Sequence, residues 1–208
     1  MTMTMKTLET PCFLVAMPQL MDRNFVKAVL LLIEHSSDGA IAFVINRPLV
    51  KPLKEFLGEG EFAPISAIPA WQGGPVGTSS GLVLHNQTGD EAHRIHEGIF
   101  LSSSPPALKG LCAYAEAYEL ESPQEKAIFG HERLNSYDCL YPFRFLVGHA
   151  GWAPRQLDEE VRQGAWMQLP YDRDLLFNTT WHQMWNAAMD LVGVNPMEIA
   201  PVSQNYLN

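Results

Sequence analysis

Cysteine is scarce in this chain. Cys12, Cys112 and Cys139 are three thiols in 208 residues, far apart and never in a Cys-x-x-Cys pair. That spacing excludes a cysteine-based zinc site and a thioredoxin-like motif, and free thiols suit a reducing cytoplasm. Charge is sparse as well, at 18% of residues, and the basic side is the poorer one: 14 Lys and Arg against 23 Asp and Glu, a net charge of −9. Lys and Arg are scattered and form no run. An acidic surface repels phosphate backbones, and no helix-turn-helix is recognisable, so direct nucleic-acid binding is not expected. Long apolar runs are missing too. Nothing approaches the ~20 residues of a membrane span, and the opening MTMTMKTLETP lacks the apolar centre of a secretory signal. The expectation is a soluble cytoplasmic protein, one domain over 1–208 with an ordered core of about 12–193. A chain of this size holds its core without disulfides or metals, and no cofactor is expected.

What the chain does have is a strong hairpin signal. Two apolar runs, Ala28 to Ile33 and Ala40 to Ile45, flank Ser36-Ser37-Asp38-Gly39. An Asp-Gly step permits the positive-φ turn that matches strand twist. Both runs are apolar nearly throughout, so both faces of these strands should be covered. Polar groups gather at the ends: Glu34 and His35 before the turn, Asn46 and Arg47 at the exit, with Pro48 expected to stop the ladder.

Around the hairpin the pattern predicts strands at Cys12–Ala16, Ala70–Val76, Gly81–His85, His93–His96, Ile99–Leu101, Ala127–Gly130, Phe143–Val147 and Trp166–Leu169. Short helices are predicted around Leu53–Leu57, from Ser104-Pro105 through Tyr118, and from Pro154 to Gly164. A last helix carries Trp181, Met184, Trp185, Ala188, Leu191 and Val192 on one face, with Gly193 as its stop. Many strands with a few interspersed helices favour an α+β fold over a doubly wound sheet.

Three blocks carry a family likeness: Glu34-His35 through Asn46-Arg47-Pro48; Gly73-Gly74-Pro75-Val76 with Leu84-His85; and Gly148-His149-Ala150-Gly151-Trp152 with Gln156-Leu157 and Gly164-Ala165-Trp166. Together, across roughly residues 12–193, the chain resembles the AlgH/YqgE family of bacterial proteins. The resemblance implies a mixed, barrel-like or bifurcated β-sheet surrounded by helices. It implies no particular catalysed reaction; some members are labelled transcriptional regulators on genetic grounds. The chain departs from the family pattern in its long polar stretch 121–142 and in His149, where Tyr is expected.

Gly77-Thr78-Ser79-Ser80-Gly81 matches Gly-x-Ser-x-Gly. A nucleophile elbow needs a strand before the Ser and a helix after it, whereas here a strand follows, so a turn between strands is the better reading. His93-x-x-His96 lies in a strand-like stretch that would point its two rings apart, with no further ligand at zinc spacing. Gly73-Gly74-Pro75-Val76 could present backbone N–H groups to an anion, but no Gly-Lys-Ser/Thr follows, and a turn allowing close strand approach is preferred.

No complete catalytic set emerges. The leading expectation is a non-enzymatic binding or regulatory module for a protein or small-molecule ligand. The alternative is a hydrolase or acid–base catalyst using His35, His85 or His149 with Glu34. Candidate binding residues are His35, Asn46, Arg47, Gly73, Gly74, His85, His149, Trp152 and Gln156. The hairpin exit, the Gly148–Trp152 turn and His85 are expected to converge on one surface, with Arg47 either facing an anionic ligand or clamping loops.

Overall fold

The computed structural model describes residues 8–57, 69–86, 92–103, 108–110, 112–113 and 143–194. Within them run β1 (Cys12–Ala16), β2 (Val29–Ser36), β3 (Gly39–Val44), β4 (Pro48–Pro52), β5 (Pro69–Gln72), β6 (Val76–His85), β7 (His93–His96), β8 (Ile99–Ser102), β9 (Phe143–Trp152) and β10 (Trp166–Pro170). The helices are α1 (Lys54–Leu57), α2 (Gln156–Arg162), α3 (Arg173–Phe177) and α4 (Trp181–Leu191). The fold is α+β, as expected.

The hairpin forms, but not with Asp-Gly at the centre of its turn: Gly39 is already the first residue of β3, and Asp38 does not have positive φ. Ser36 pairs with Gly39 across the Ser37-Asp38 turn, and β2 and β3 lie in the middle of one sheet of order β10-β1-β2-β3-β9-β6-β8-β7. Every step along that path is antiparallel. The sheet forks at β9. One edge of that strand pairs with β3 at Ala150–Trp152 and with β5, in parallel, at Leu146 and Val147. Gly73 stands at the fork, donating to the Val147 carbonyl and accepting from the Val44 N–H.

Strand alternation splits the core. Phe13, Leu31, Phe43, Leu169, Ile99 and Leu146 join one buried cluster although β10 and β8 are distant along the sheet. Only a curled sheet brings those faces together, so this cluster is the inside of a half-barrel. Leu176, Met184 and Trp185 of α3 and α4 fill it. The intervening residues Leu14, Leu30, Leu32 and Val44 point outward and are buried with Trp152, Trp166 and Leu157 of α2. Each such side chain stabilises the fold by about 1.5–3 kcal/mol relative to exposure, which is why these strands are apolar on both faces.

Several local readings change. Pro48 opens β4, opposite Trp71, where a first-position proline leaves no ladder bond unmade. Residues 77–81 are not a turn: they continue β6, with a register irregularity against β9 between Val76 and Gly81. No helix follows Ser79, so the hydrolase elbow is absent there. Leu191 is exposed rather than on the packed face of α4, and Met189 is buried in its place. Helix α3 was not anticipated, although Asp172 caps it by accepting from the Leu175 N–H at 2.8 Å. The expected strand at 127–130 and most of the expected helix at 104–118 lie outside the described residues.

Candidate functional site

The nine sequence-derived candidates do not form one surface. His85 pairs with Phe143 at the first residue of β9, while Trp152 is at its last, roughly 30 Å away along an extended strand. Trp152 pairs with Ala40 at the turn end of β3, and Arg47 leaves the opposite end. Polar strand ends are not equivalent, because neighbouring antiparallel strands put their exits at opposite sides of the sheet.

Most of the candidates are engaged in holding the fold. Asn46 is buried, accepting from the Val29 N–H and donating to the Lys27 carbonyl, both at 2.9 Å. Arg47 donates to the carbonyls of Arg23, Asn24 and Val26 at 2.5–3.1 Å. Partial burial lowers its pKa from the ordinary value, and Asp22 opposes that shift. A guanidinium spread over three carbonyls of one loop is a clamp. Gly73 and Gly74 let two backbones cross: a β-carbon on Gly73 would sit 2.2 Å from the Gly148 oxygen. The preference for close strand approach over anion binding rests on that crossing.

The histidines are dispersed. His85 is buried, with Nε2 2.9 Å from Ser102 Oγ and its ring stacked on Phe100. His149 packs edge-on against Phe43 of the inner core. His35 is on the other face, between α2 and the N-terminal segment. Its Nε2 is 3.1 Å from Asp158 Oδ1, and its Nδ1 accepts the Leu8 N–H at 3.0 Å. Through these two contacts the ring tethers the segment that precedes β1 to the first turn of α2.

Trp152 and Gln156 meet at a residue the sequence reading passed over. Glu160 Oε2 accepts the indole N–H of Trp152 at 2.9 Å and of Trp166 at 2.8 Å, and Oε1 accepts from Gln156 at 2.9 Å. Phe25 packs on both tryptophans. The first turn of α2 carries Asp158 and Glu159, whose charge opposes an anion at the start of that helix.

A cleft does exist, but elsewhere. Where the curled sheet brings together β7 and β10, its two outermost strands among the described residues, the His96 ring at the end of β7 stands 5.3 Å from that of Tyr171, just past the end of β10. Beside this contact opens a cavity of about 540 Å³ lined by Leu8, Glu9, Cys12, His96, Gln168 and Tyr171. Burial pushes the Cys12 thiol up to about 11, with a hydrogen bond to Gln168 opposing, and pushes the Tyr171 hydroxyl up to about 12. Neither ionises at neutral pH. No sequence signal marked this site, because its residues come from three distant segments. A more open depression of about 380 Å³ lies at the hairpin turn, between Glu34, Asp38, Val76 and Trp152.

Comparison with known proteins places this geometry. A family model described as AlgH-like matches residues 13–129 and 131–197. A UPF0301 protein of Myxococcus xanthus is 34% identical over 191 residues, covering 89% of this chain and 92% of its own length. One of Thioalkalivibrio sulfidiphilus is 32% identical over 198 residues, covering 93% and 94%. The solution structure of the AlgH protein from Pseudomonas aeruginosa superposes with a TM-score of 0.65 at 28% identity, covering 95% of this chain and 97% of that one. A Corynebacterium diphtheriae protein shares the fold at 20% identity, with a TM-score of 0.61. The chain belongs to the AlgH-like family.

Proposed function

We propose that this protein is a binding module rather than a catalyst, and that its ligand seats in the cleft between β7 and β10. One observation carries the reading. The cleft of about 540 Å³ falls in the size range of ligand sites, roughly 300–1,000 Å³, and sets polar groups in about equal measure against an apolar wall of Leu8, Cys12 and Pro170. Those groups are Glu9, His96, Gln168 and the Tyr171 ring. The thiol in its wall is protonated at neutral pH and so is a poor nucleophile. The histidines of the acid–base alternative are separated across two faces and two ends of the sheet, which disfavours their acting together. A regulatory role would then work through occupancy of the cleft, in the cytoplasm and without direct contact to nucleic acid, given the net charge of −9.

A fragment screen on isotope-labelled protein tests this. Amide shifts should cluster on residues 8–12, 96 and 168–171, and Tyr171→Ala should weaken them about tenfold or more. Shifts confined to the hairpin-turn depression would move the site there and refute the reading. A gel-shift titration with duplex DNA at about 150 mM salt should show no complex.

A further inference from the structure

The backbone beside the cleft has its own chemistry. Met17 N–H donates to the Ala165 carbonyl at 3.0 Å, and Ala16 N–H donates across to Ala28 at 2.9 Å. Alternation then fixes the rest of the ladder: in the register Val15↔Met167 and Phe13↔Leu169, those residues bond each other. The N–H and C=O groups of Trp166 and Gln168 therefore point away from β1. Among the described residues no strand lies on that side of β10. β7 does not fill the place. Among the described residues it is not paired with β10, and it comes up to that strand at the His96–Tyr171 ring contact, just past the last residue of β10.

The two edges are also guarded differently. Natural sheets blunt a free edge with charge, proline or shortness. β7 is four residues long and carries Arg94 between His93 and Ile95. β10, Trp-Met-Gln-Leu-Pro, carries no charge, and its one proline is the last residue. An uncharged edge with outward donors and acceptors, opening on a cleft, is suited to receive a strand.

We propose that β10 binds an extended segment of a partner protein as an added strand, basic on one face and apolar on the other. This rests on the cleft being the binding site and names the class of ligand. The charge follows from complementarity. Glu9 supplies the carboxylate of the cleft, Asp172 and Arg173 beside Tyr171 offset each other, and the protein as a whole is at −9. Alternate side chains of an added strand would lie over Gln168 and Glu9, and the remainder over Met167 and Tyr171. Pro170, lacking an N–H, ends the ladder. The same net charge disfavours a second copy of this chain as the occupant.

The probe is a capped, fluorescent hexapeptide of alternating valine and lysine, tested on the full chain by anisotropy and amide hydrogen exchange. Saturable binding is expected, with exchange at the Gln168 amide slowed about tenfold or more and Met167, already bonded to β1, unchanged. A valine–glutamate peptide should bind at least about tenfold more weakly. N-methylation of the edge-facing peptide nitrogens should abolish binding, a control that leaves the protein unaltered. Gln168→Pro removes the outward N–H without touching a β1 bond and should also abolish it. Equal binding of methylated and unmethylated peptides would overturn the inference. So would a Gln168 amide already as slow as Met167 in the free protein, because the chain would then cover its own edge. If fragments shift the cleft residues but the peptide does not protect Gln168, the cleft reading stands and this one falls.

Discussion

Gly74 and His149 pass so closely that a β-carbon on the first would lie 2.1 Å from the carbonyl carbon of the second. The crossing is reciprocal. Gly148, at φ +72°, would bring a β-carbon within 2.6 Å of the Gly74 oxygen. Both contacts are with backbone, which cannot swing aside as a side chain can.

Gly74→Ala should therefore lower stability by about 3 kcal/mol or more, read as a fall in the urea midpoint with an unchanged slope. Gly98→Ala serves as the comparison: its φ is also positive, at +71°, but nothing lies within 4 Å of the added carbon. It should cost about 1 kcal/mol. Equal losses would mean that the crossing has room to open.

Arg47→Ala should destabilise by about 2 kcal/mol, because three carbonyls of the 23–26 loop lose a charged donor. The loss stays near the low end because these contacts are exposed and water replaces part of each bond. Arg47→Lys should recover little, since an ammonium cannot reproduce a planar fork reaching three acceptors. An unchanged melting temperature in the alanine variant would show that the loop holds itself.

The distribution of these residues explains what could be read from sequence. The hairpin was legible because apolar runs and Asp38-Gly39 are local signals, and the two-faced burial of Leu30 to Leu32 followed from the absence of alternation. Gly73-Gly74 was legible as a close approach, though not its partner, Gly148. The cleft was not legible, since Leu8–Cys12, His96 and Gln168–Tyr171 meet only through the curl of the whole sheet. Arg47 illustrates a different limit. Its need for partners was predictable, but acceptors drawn from backbone carbonyls leave no trace in side-chain identity.

Glu160 supports two tryptophans through one oxygen, so its variants should separate charge from hydrogen bonding. Glu160→Ala leaves the buried Trp166 and Trp152 indoles without this acceptor and should cost about 2–3 kcal/mol. Glu160→Gln can keep its amide oxygen toward the indoles but turns an N–H toward Gln156, and should cost about 1 kcal/mol. Tryptophan emission should shift in the alanine variant and hold in the glutamine one. Matching spectra for both would show that Phe25 and the aromatic packing alone fix the two rings.

Alkaline pH offers a test of the cleft wall. Cys12 is raised from 9.0 to about 11, first by burial, and Tyr171 from 10.0 to about 12, again first by burial. In both cases the folded state holds its proton to a higher pH than the unfolded state does. Between the two values the unfolded chain binds fewer protons, so stability falls as pH rises. The contribution is complete below pH 9, where both states are protonated, and declines from there toward pH 12. The buried thiol accounts for a loss of about 2 kcal/mol, and the phenol, whose hydroxyl is buried while its ring is partly exposed, for about 1 kcal/mol after allowing for solvent screening. Urea midpoints measured from pH 8 to 11 should therefore drop for the native protein. The slope should flatten in Cys12→Ala and flatten further when Tyr171→Phe is added. Parallel curves for all three proteins would mean that water reaches both groups in the folded state, and that the wall of the cleft is open rather than packed.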